Sequence, residues 1–342
     1  MKKYRIVQLG VGSFGSQWLE HVLSGWEGAE LAGVVSTNKD RYDWIRKTSG
    51  LRQDQIFENL EAALDTVKPD LLLNVTPPAA HLATSLAALR KGTAVLCEKP
   101  IALNREDAAA LLKAPDEYGK PVYIAENYRF FHVMQKAKTL IEESIIGRIQ
   151  SIGVEFYRNH HVTGTTGYHM ELEHPLLMDV SIHHFDLVRF LTGSDAVNVC
   201  AAVWAPSNSH YPRNANADVL VTMKNGVRVS YRGQLAACCD ETGWPGNWRI
   251  EGDLGIMRIN GGGISVSGGN GGGREYTVNS DDLSGRSLLT DIFESVEQGR
   301  SAQSDIHDNI RTLEMVFAAI DSSRSGCVVN MEDPAWKQVT PS

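Results

Sequence analysis

Gly10-Val11-Gly12-Ser13-Phe14-Gly15 follows the apolar run Tyr4–Leu9 and precedes a helical pattern over Ser16–Leu23. In that setting GxGxxG is a cradle for a dinucleotide pyrophosphate. Gly10 permits the tight turn, Gly12 lets the pyrophosphate approach the backbone, and Gly15 lets the helix lie close on its strand. Free N–H groups and a partial positive charge at the helix start then face the phosphates. Lys99, held between Glu98 and Pro100, offers an ammonium that can hydrogen-bond a reacting oxygen and stabilise alkoxide charge. It could also help hold a nicotinamide; in isolation it would read as a surface lysine in a turn. Asp179 and His183 lie four apart at the start of a predicted helix, so both are expected on one face. When a hydride moves to or from a C–O carbon, a proton must move on the oxygen. Imidazole titrates near neutral pH and can carry that proton. Asp179 could bind a substrate hydroxyl or bias the histidine. Asp186 either orients the imidazole or pairs with Arg189, and His184 falls on another face and reads as structural.

The elements that must position these residues follow from the hydrophobic pattern. Residues 4 to about 125 alternate apolar runs with helical patterns, the signature of βαβ units on a parallel sheet. Further strands are expected at Glu30–Val35, Asp70–Val75, Ala94–Glu98 and Pro121–Ala125. Helices are expected at Leu60–Val67, at Ala79–Lys91 ended by Gly92, and at Arg105–Leu112. Lys99 then stands at the carboxyl edge of the sheet, where open α/β folds bind ligands. After about residue 126 the texture changes. Val133–Ser144 is an amphipathic helix, Ile149–Tyr157 a long strand, and His183–Leu191 a helix capped by Gly193. Val197–Trp204, Ala217–Met223, Val227–Leu235, Trp248–Glu251 and Gly255–Asn260 follow as strands without intervening helices, with Asn225-Gly226 as a hairpin turn. They imply one large, mostly antiparallel sheet. The glycines between Gly261 and Gly273 bracket a short strand, and with no helix after them they read as a hairpin loop. Two helices, about 287–298 and 305–323, close the chain. The fold class is α/β: a Rossmann domain over 1–125, then an α/β domain with an open sheet over 126–342, whose last helices could pack back on the first domain.

With 342 residues there is ample core for two domains. A net charge of −8 without any basic block argues against a nucleic-acid partner or an anionic membrane surface. No apolar run approaches a membrane span, and Met1-Lys2-Lys3 leads straight into the first strand, so no signal peptide is expected. Five cysteines with no CxxC read as reduced thiols in a cytoplasmic protein. His160, His161, His169, His174, His183 and His184, six of eleven histidines, crowd one segment with Glu155, Glu171, Glu173 and Asp179. No ligand set closes there with metal spacing, so the segment reads as a polar, substrate-facing loop and no metal is assigned.

The glycine turn, Thr76-Pro77-Pro78 with His81, Glu98-Lys99-Pro100, and Asp179-Val180-Ser181-Ile182-His183-His184-Phe185-Asp186 occur in that order. Together they resemble the glucose–fructose oxidoreductase / inositol dehydrogenase (Gfo/Idh/MocA) family over nearly the whole chain. Ser181 replaces the motif's usual glycine and keeps a small residue there. The resemblance implies a Rossmann domain followed by an α/β domain for substrate binding and oligomerisation. It implies oxidation or reduction of a secondary alcohol or carbonyl on a sugar, inositol or related polyol by a nicotinamide cofactor. It assigns the acid/base role to His183, with Asp179 and Lys99 beside it. It adds Ser13, Phe14, Thr76, Pro77, His81 and Glu98 to the cofactor side. Asn127 and Arg129 match a region that contacts cofactor and substrate, although each could equally be a polar anchor between domains. The family's sheets commonly pair between subunits, so a homodimer or homotetramer is expected. Tyr157, Arg158, His160, Trp244 and Trp248 are weaker candidates for a sugar pocket, since single aromatic residues are more often core.

The second strand ends Val35-Ser36-Thr37-Asn38-Lys39-Asp40-Arg41. An NAD site usually carries an acid where Ser36 stands. Thr37 and Asn38 can donate hydrogen bonds, and Lys39 or Arg41 could meet a 2′-phosphate. The expectation is NADP(H), with NAD(H) allowed if Asp40 folds back. Two other classes remain: a glycoside hydrolase working by transient oxidation with tightly held NAD, and a non-catalytic dinucleotide-binding regulator. The first would consume no net cofactor, and the second need not keep Lys99, Asp179 and His183.

Overall fold

In the computed structural model, which describes residues 3–159, 168–207, 209–268, 273–278 and 284–337, contacts divide the chain into two compact units. One is 1–127 with 283–310; the other is 128–282 with 311–342.

The first unit begins β1 (Tyr4–Leu9), α1 (Ser13–Gln17), β2 (Ala29–Val35), α2 (Tyr42–Ser49), β3 (Ile56–Phe57) and α3 (Leu60–Val67). It continues β4 (Leu71–Asn74), α4 (His81–Arg90), β5 (Ala94–Cys97), α5 (Arg105–Tyr118) and β6 (Val122–Ile124). The strand order is β3-β2-β1-β4-β5-β6, and every pairing is parallel. This is the doubly wound order, reversing direction between β1 and β4. β4 is buried along its whole length, as a strand covered on both faces must be. The helix after the glycine turn starts at Ser13 rather than Ser16 and widens into a π-helical stretch over Trp18–Leu23. α5 passes Pro115 and ends at Tyr118, six residues beyond the expected Leu112, with Gly119 after it in the left-handed region. The sequence reading omitted α2 because only Ile45 in it is buried, which leaves too narrow an apolar stripe to detect.

The second unit contains α6 (His132–Glu142), β7 (Ile149–Tyr157), α7 (Ile182–Thr192), β8 (Ala196–Trp204), β9 (Asn216–Met223) and β10 (Arg228–Gln234). Then come β11 (Asn247–Gly252), β12 (Gly255–Asn260), β13 (Gly263–Gly268) and β14 (Arg274–Thr277). The chain next returns to the first unit with α8 (Ser284–Gln298) and the start of α9 (Ile306–Ser325). It ends in the second with β15 (Val329–Asn330) and α10 (Pro334–Lys337). A domain running unbroken from 126 to 342 is therefore not what forms. The reason is the apolar face of α8. Phe293 stacks on Tyr4 with ring centroids 4.2 Å apart. Arg286 Nε donates to the Val22 carbonyl at 2.9 Å. Gly285 lies so close to Val22 and Trp18 that a Cβ there would meet Val22 Cγ2 at 2.7 Å.

The second sheet runs β14-β13-β12-β11-β7-β10-β9-β8-β15. Its pairings are antiparallel except β7 with β10. Asn225-Gly226 makes the β9–β10 turn, with Gly226 at φ 90°. Strand alternation sorts β7 into two faces. Ile152, Val154 and Phe156 are buried, and Phe156 lies against His184 of α7. The opposite face carries Glu155, Asp218, Leu220, Arg232 and Arg249 around an open trough of about 640 Å³.

Candidate active site

The glycine turn is held by its own strand. Gln8 is fully buried, and its side-chain amide donates to the carbonyls of Gly10 at 2.8 Å and Gly15 at 2.7 Å. Gly10 has φ 98°, and a Cβ on it would meet the Val75 carbonyl oxygen at 2.7 Å. A Cβ on Gly15 would collide with the Gly10 carbonyl, so packing demands both glycines. Gly12 differs: a Cβ there meets no atom within 4 Å. Among the described residues nothing sterically requires glycine at that position. A bare backbone surface beside a helix start is what a pyrophosphate requires, so the turn fits a dinucleotide.

Lys99 sits two residues past β5, buried, with its ammonium 5.5 Å above the ring of Phe14 in the glycine turn. Its backbone is fixed from both sides. The Lys99 N–H donates to Glu98 Oε2 at 3.1 Å, while Glu98 Oε1 accepts from the Trp18 indole at 2.5 Å. The Lys99–Pro100 peptide is cis. The Pro100 carbonyl faces His81 Nδ1 at 3.1 Å, and His81 Nε2 faces the Thr76 carbonyl at 2.8 Å. Burial holds the Glu98 carboxyl above its ordinary range, with Lys99 pulling the other way, and burial keeps the His81 imidazole below its ordinary range. His81 thus ties the Thr76-Pro77 turn to the lysine loop. Asn74 braces that turn, accepting from the Thr76 N–H and hydroxyl and donating to Thr84 and Ser85. The sequence reading missed Gln8, Trp18 and Asn74. Polar Gln8 and Asn74 inside apolar strand runs were the available signal, because a buried amide needs partners.

At the end of β2 the two cations have different fates. Lys39 pairs with Glu58 at 2.6 Å, which raises its pKa. Arg41 stacks on Trp44 at 4.3 Å and donates to the Ser16 hydroxyl at 2.6 Å, beside the glycine turn. Ser36 is buried, its hydroxyl turned toward the backbone of Asn38, while Asn38 accepts from the Asp40 N–H and Thr37 is exposed. Asn127 donates to the Ser284 hydroxyl at 3.0 Å and so anchors the start of α8.

In the second unit, Asp179 lies in a π-helical stretch, Leu176–Ser181, that runs into α7. The wider turn means that the α-helical argument for Asp179 and His183 sharing one face does not apply. Instead, Asp179 Oδ1 accepts from the Tyr168 hydroxyl at 2.8 Å, and Oδ2 lies 3.1 Å from His169 Nδ1. His183 is buried on α7 with the Tyr128 ring stacked on it. His184 is structural. Its Nε2 donates to the Trp244 carbonyl at 2.9 Å, and its Nδ1 lies 3.2 Å from the Tyr231 hydroxyl, which accepts from Ser181. Burial pushes its pKa down to about 3.

Asp186 has partners that neither expected role named. Both its oxygens accept from Arg129, at 2.5 and 2.7 Å, and it accepts from the Thr312 hydroxyl at 3.0 Å. Arg189 pairs with Asp195 and reaches Asp186 through the same Thr312 hydroxyl. Arg129, expected on substrate, is thereby bound in a buried ion pair inside its own unit. Tyr157 falls on the sheet face opposite Phe156, where burial and the neighbouring Glu155 raise its pKa. The physical reason is the two-residue period of the strand. Trp248 is core, donating to the Pro245 carbonyl, and Arg158 stacks on the half-exposed Trp244 at 4.5 Å. His160 and His161 lie outside the described residues. Among the described residues, no group of three or more His, Cys, Asp or Glu side chains comes together as a metal site.

Residues 4–126 match the model of the oxidoreductase family with the NAD-binding Rossmann fold, and residues 134–258 match the GFO/IDH/MocA C-terminal domain. The chain belongs to the GFO/IDH/MocA oxidoreductases. Among relatives of this family it is 24% identical to a D-apiose dehydrogenase of Paraburkholderia graminis, over 97% of this chain and 91% of that one. It is 25% identical to an inositol 2-dehydrogenase of an Arthrobacter species, over 65% of this chain and 64% of that one. The fold superposes on an oxidoreductase from Agrobacterium radiobacter in complex with NAD+, L-tartaric acid and magnesium. The TM-score is 0.88 at 21% identity, over 96% of this chain and 98% of that one. A levoglucosan dehydrogenase in complex with NADH has a TM-score of 0.84 at 16% identity, covering 97% of this chain and 100% of that one.

Proposed function

We propose that this oxidoreductase interconverts a secondary alcohol and a carbonyl on a sugar, inositol or related polyol, with Lys99, Asp179 and His183 managing oxygen charge and proton. The observation that carries this reading is the fixed Lys99, its loop pinned through Glu98 and His81 beside the glycine turn. The apiose, inositol and levoglucosan dehydrogenases among its relatives support the substrate class. The cofactor, when bound, supplies or accepts the hydride. Gly10, Gly12 and Gly15 would hold its pyrophosphate, with Ser13 and Phe14 between them, and Thr76, Pro77 and His81 would shape the neighbouring turn. The Lys99 ammonium hydrogen-bonds the reacting oxygen and lowers the energy of its developing negative charge. His183 takes the hydroxyl proton in oxidation and returns it in reduction. Asp179, held by Tyr168 and His169, accepts a neighbouring substrate hydroxyl.

NADP(H) is the proposed preference, with NAD(H) accepted. Ser36 presents no acid to repel a 2′-phosphate, and Arg41, over the Trp44 ring and bonded to Ser16, is the cation proposed to meet one. Assembly as a homodimer or homotetramer through the open face of the nine-stranded sheet is proposed as well, where Leu220 is 60% exposed. A cytoplasmic, reducing compartment suits the five free cysteines. Among the described residues, no helix is long and apolar enough to cross a membrane.

The test is nicotinamide absorbance with NADP(H) and NAD(H) across aldoses, ketoses, inositols and sugar acids, with His183→Ala as control. Turnover that falls by about 10²–10⁴ in the variant is expected for loss of a general acid/base. Full turnover in the variant, or none on any compound despite tight cofactor binding, would overturn the reading.

A further inference from the structure

Tyr128 and His183 meet in an unusual way. Their ring centroids are 3.9 Å apart and their planes differ by 6°, with both residues buried. Neutral aromatic rings prefer offset or edge-on contacts at about 4.5–7 Å, because two electron-rich faces repel. A cation on an aromatic face is attracted instead. The arrangement therefore discriminates between the two charge states of His183. We infer that Tyr128 is a positioning residue for proton transfer, its ring lying flat on His183 to fix the imidazole plane and favour the imidazolium. This rests on the reading of His183 as the proton-carrying group.

The surroundings leave that preference effective. His184, next in sequence, stays neutral to about pH 3 and puts no like charge beside an imidazolium. The Tyr231 hydroxyl on β10 is held neutral by burial. Arg129, adjacent to Tyr128, is compensated by Asp186. Among the described residues, Asp179, with Tyr168 and His169 beside it, is a charged cluster on the turn leading into α7. Tyr128 itself is packed on its other neighbours, Phe131 at 4.7 Å and His184 at 6.3 Å, so its ring has little freedom to leave the stack. Burial by itself disfavours a charged histidine; the tyrosine face offsets that penalty in the one place where a proton must be picked up.

Two variants separate the ring from its hydroxyl. Tyr128→Phe keeps the face, and Tyr128→Leu removes it. The readouts are the low-pH limb of kcat/KM for alcohol oxidation and the His183 imidazole titration by NMR of histidine-labelled protein, assigned with His183→Asn. Tyr128→Phe should leave the His183 pKa in place, while Tyr128→Leu should lower it by about 0.5–1 unit and carry the kinetic limb to lower pH. Loosened packing that merely admits water would move it the other way. An unchanged or raised His183 pKa in Tyr128→Leu overturns the inference. If that variant does not fold, pentafluorophenylalanine at position 128 keeps roughly the volume and reverses the face charge. The same fall is then expected, and its absence is equally decisive. Full turnover in His183→Asn would instead strike the underlying assignment of His183, while the NMR titration still reports on the stack.

Discussion

At the level of single residues, the same side-chain type does opposite jobs according to its partner. Arg129 and Asp186 form a buried pair, with side chains 7% and 0% exposed. Such a pair adds little over an apolar one, but losing one member strands the other's charge. Arg129→Met is expected to cost about 3–5 kcal/mol in urea unfolding, and adding Asp186→Asn should recover part of the loss. Arg41 is the contrasting case, because among the described residues no carboxylate pairs with it and its hydrogen bond goes to Ser16. Arg41→Ala is expected to raise the KM for NADP(H) about 10-fold or more, the scale of a lost charge-assisted phosphate contact, and to leave that for NAD(H) nearly unchanged. Equal effects on both cofactors would remove Arg41 from the 2′-phosphate role.

At the level of elements, the glycine turn separates packing from binding. Gly15 is required by the close approach of α1 to the Gly10 carbonyl, whereas Gly12 faces open space. Gly15→Ala should therefore lower Tm and cofactor affinity together. Gly12→Ala should keep Tm within about 1–2 °C, since an exposed substitution costs little, yet weaken NADPH binding measured by fluorescence titration. A Gly12→Ala variant with full affinity would show that no phosphate lies against that backbone. The π-helical stretches at Trp18–Leu23 and Leu176–Ser181 border these same sites. Trp18 in the first reaches Glu98, and Asp179 in the second accepts from Tyr168. Neither wide turn has a sequence signature as plain as the glycines that flank α1 or cap α7.

At the level of the whole molecule, buried neutral imidazoles set the acid limit. His81 in the first unit and His184 in the second both have pKa values lowered by burial. The native state therefore binds fewer protons than the unfolded chain below about pH 6.5. The stability these groups contribute is complete above that pH and is lost as pH falls, for His184 down to about 3. His184 should take about 1.4 kcal/mol per pH unit from unfolding free energy below about pH 6, and His81 acts in the same direction. Urea melts at pH 7, 6 and 5 with proton-uptake analysis check this, and a flat profile would contradict it. Glu98 has its carboxyl raised by burial, so it opposes the trend as pH rises through its titration.

Much of the fold was legible because period and punctuation are local. The apolar runs that became β1, β4 and β7, the Asn225-Gly226 turn, and the Gly193 cap each follow from a few neighbouring residues. The glycine turn was readable for the same reason, whereas the Glu98-Lys99-Pro100 loop stood out through the family resemblance. Asp186 with Arg129, Tyr128 on His183, and Tyr168 with Asp179 were not. The Arg129–Asp186 pair spans 57 residues, so nothing local favours that partner over another. The sequence allowed the closing helices to pack back on the first domain, but not the contacts that hold α8 there, since these depend on Phe293 finding Tyr4 at the other end of the chain. By itself the sequence determined the kinds of chemistry available and the elements that bear them. Tertiary structure decided which buried charge each polar group would satisfy, because desolvation penalises every unpaired choice and only packing brings the partners within reach.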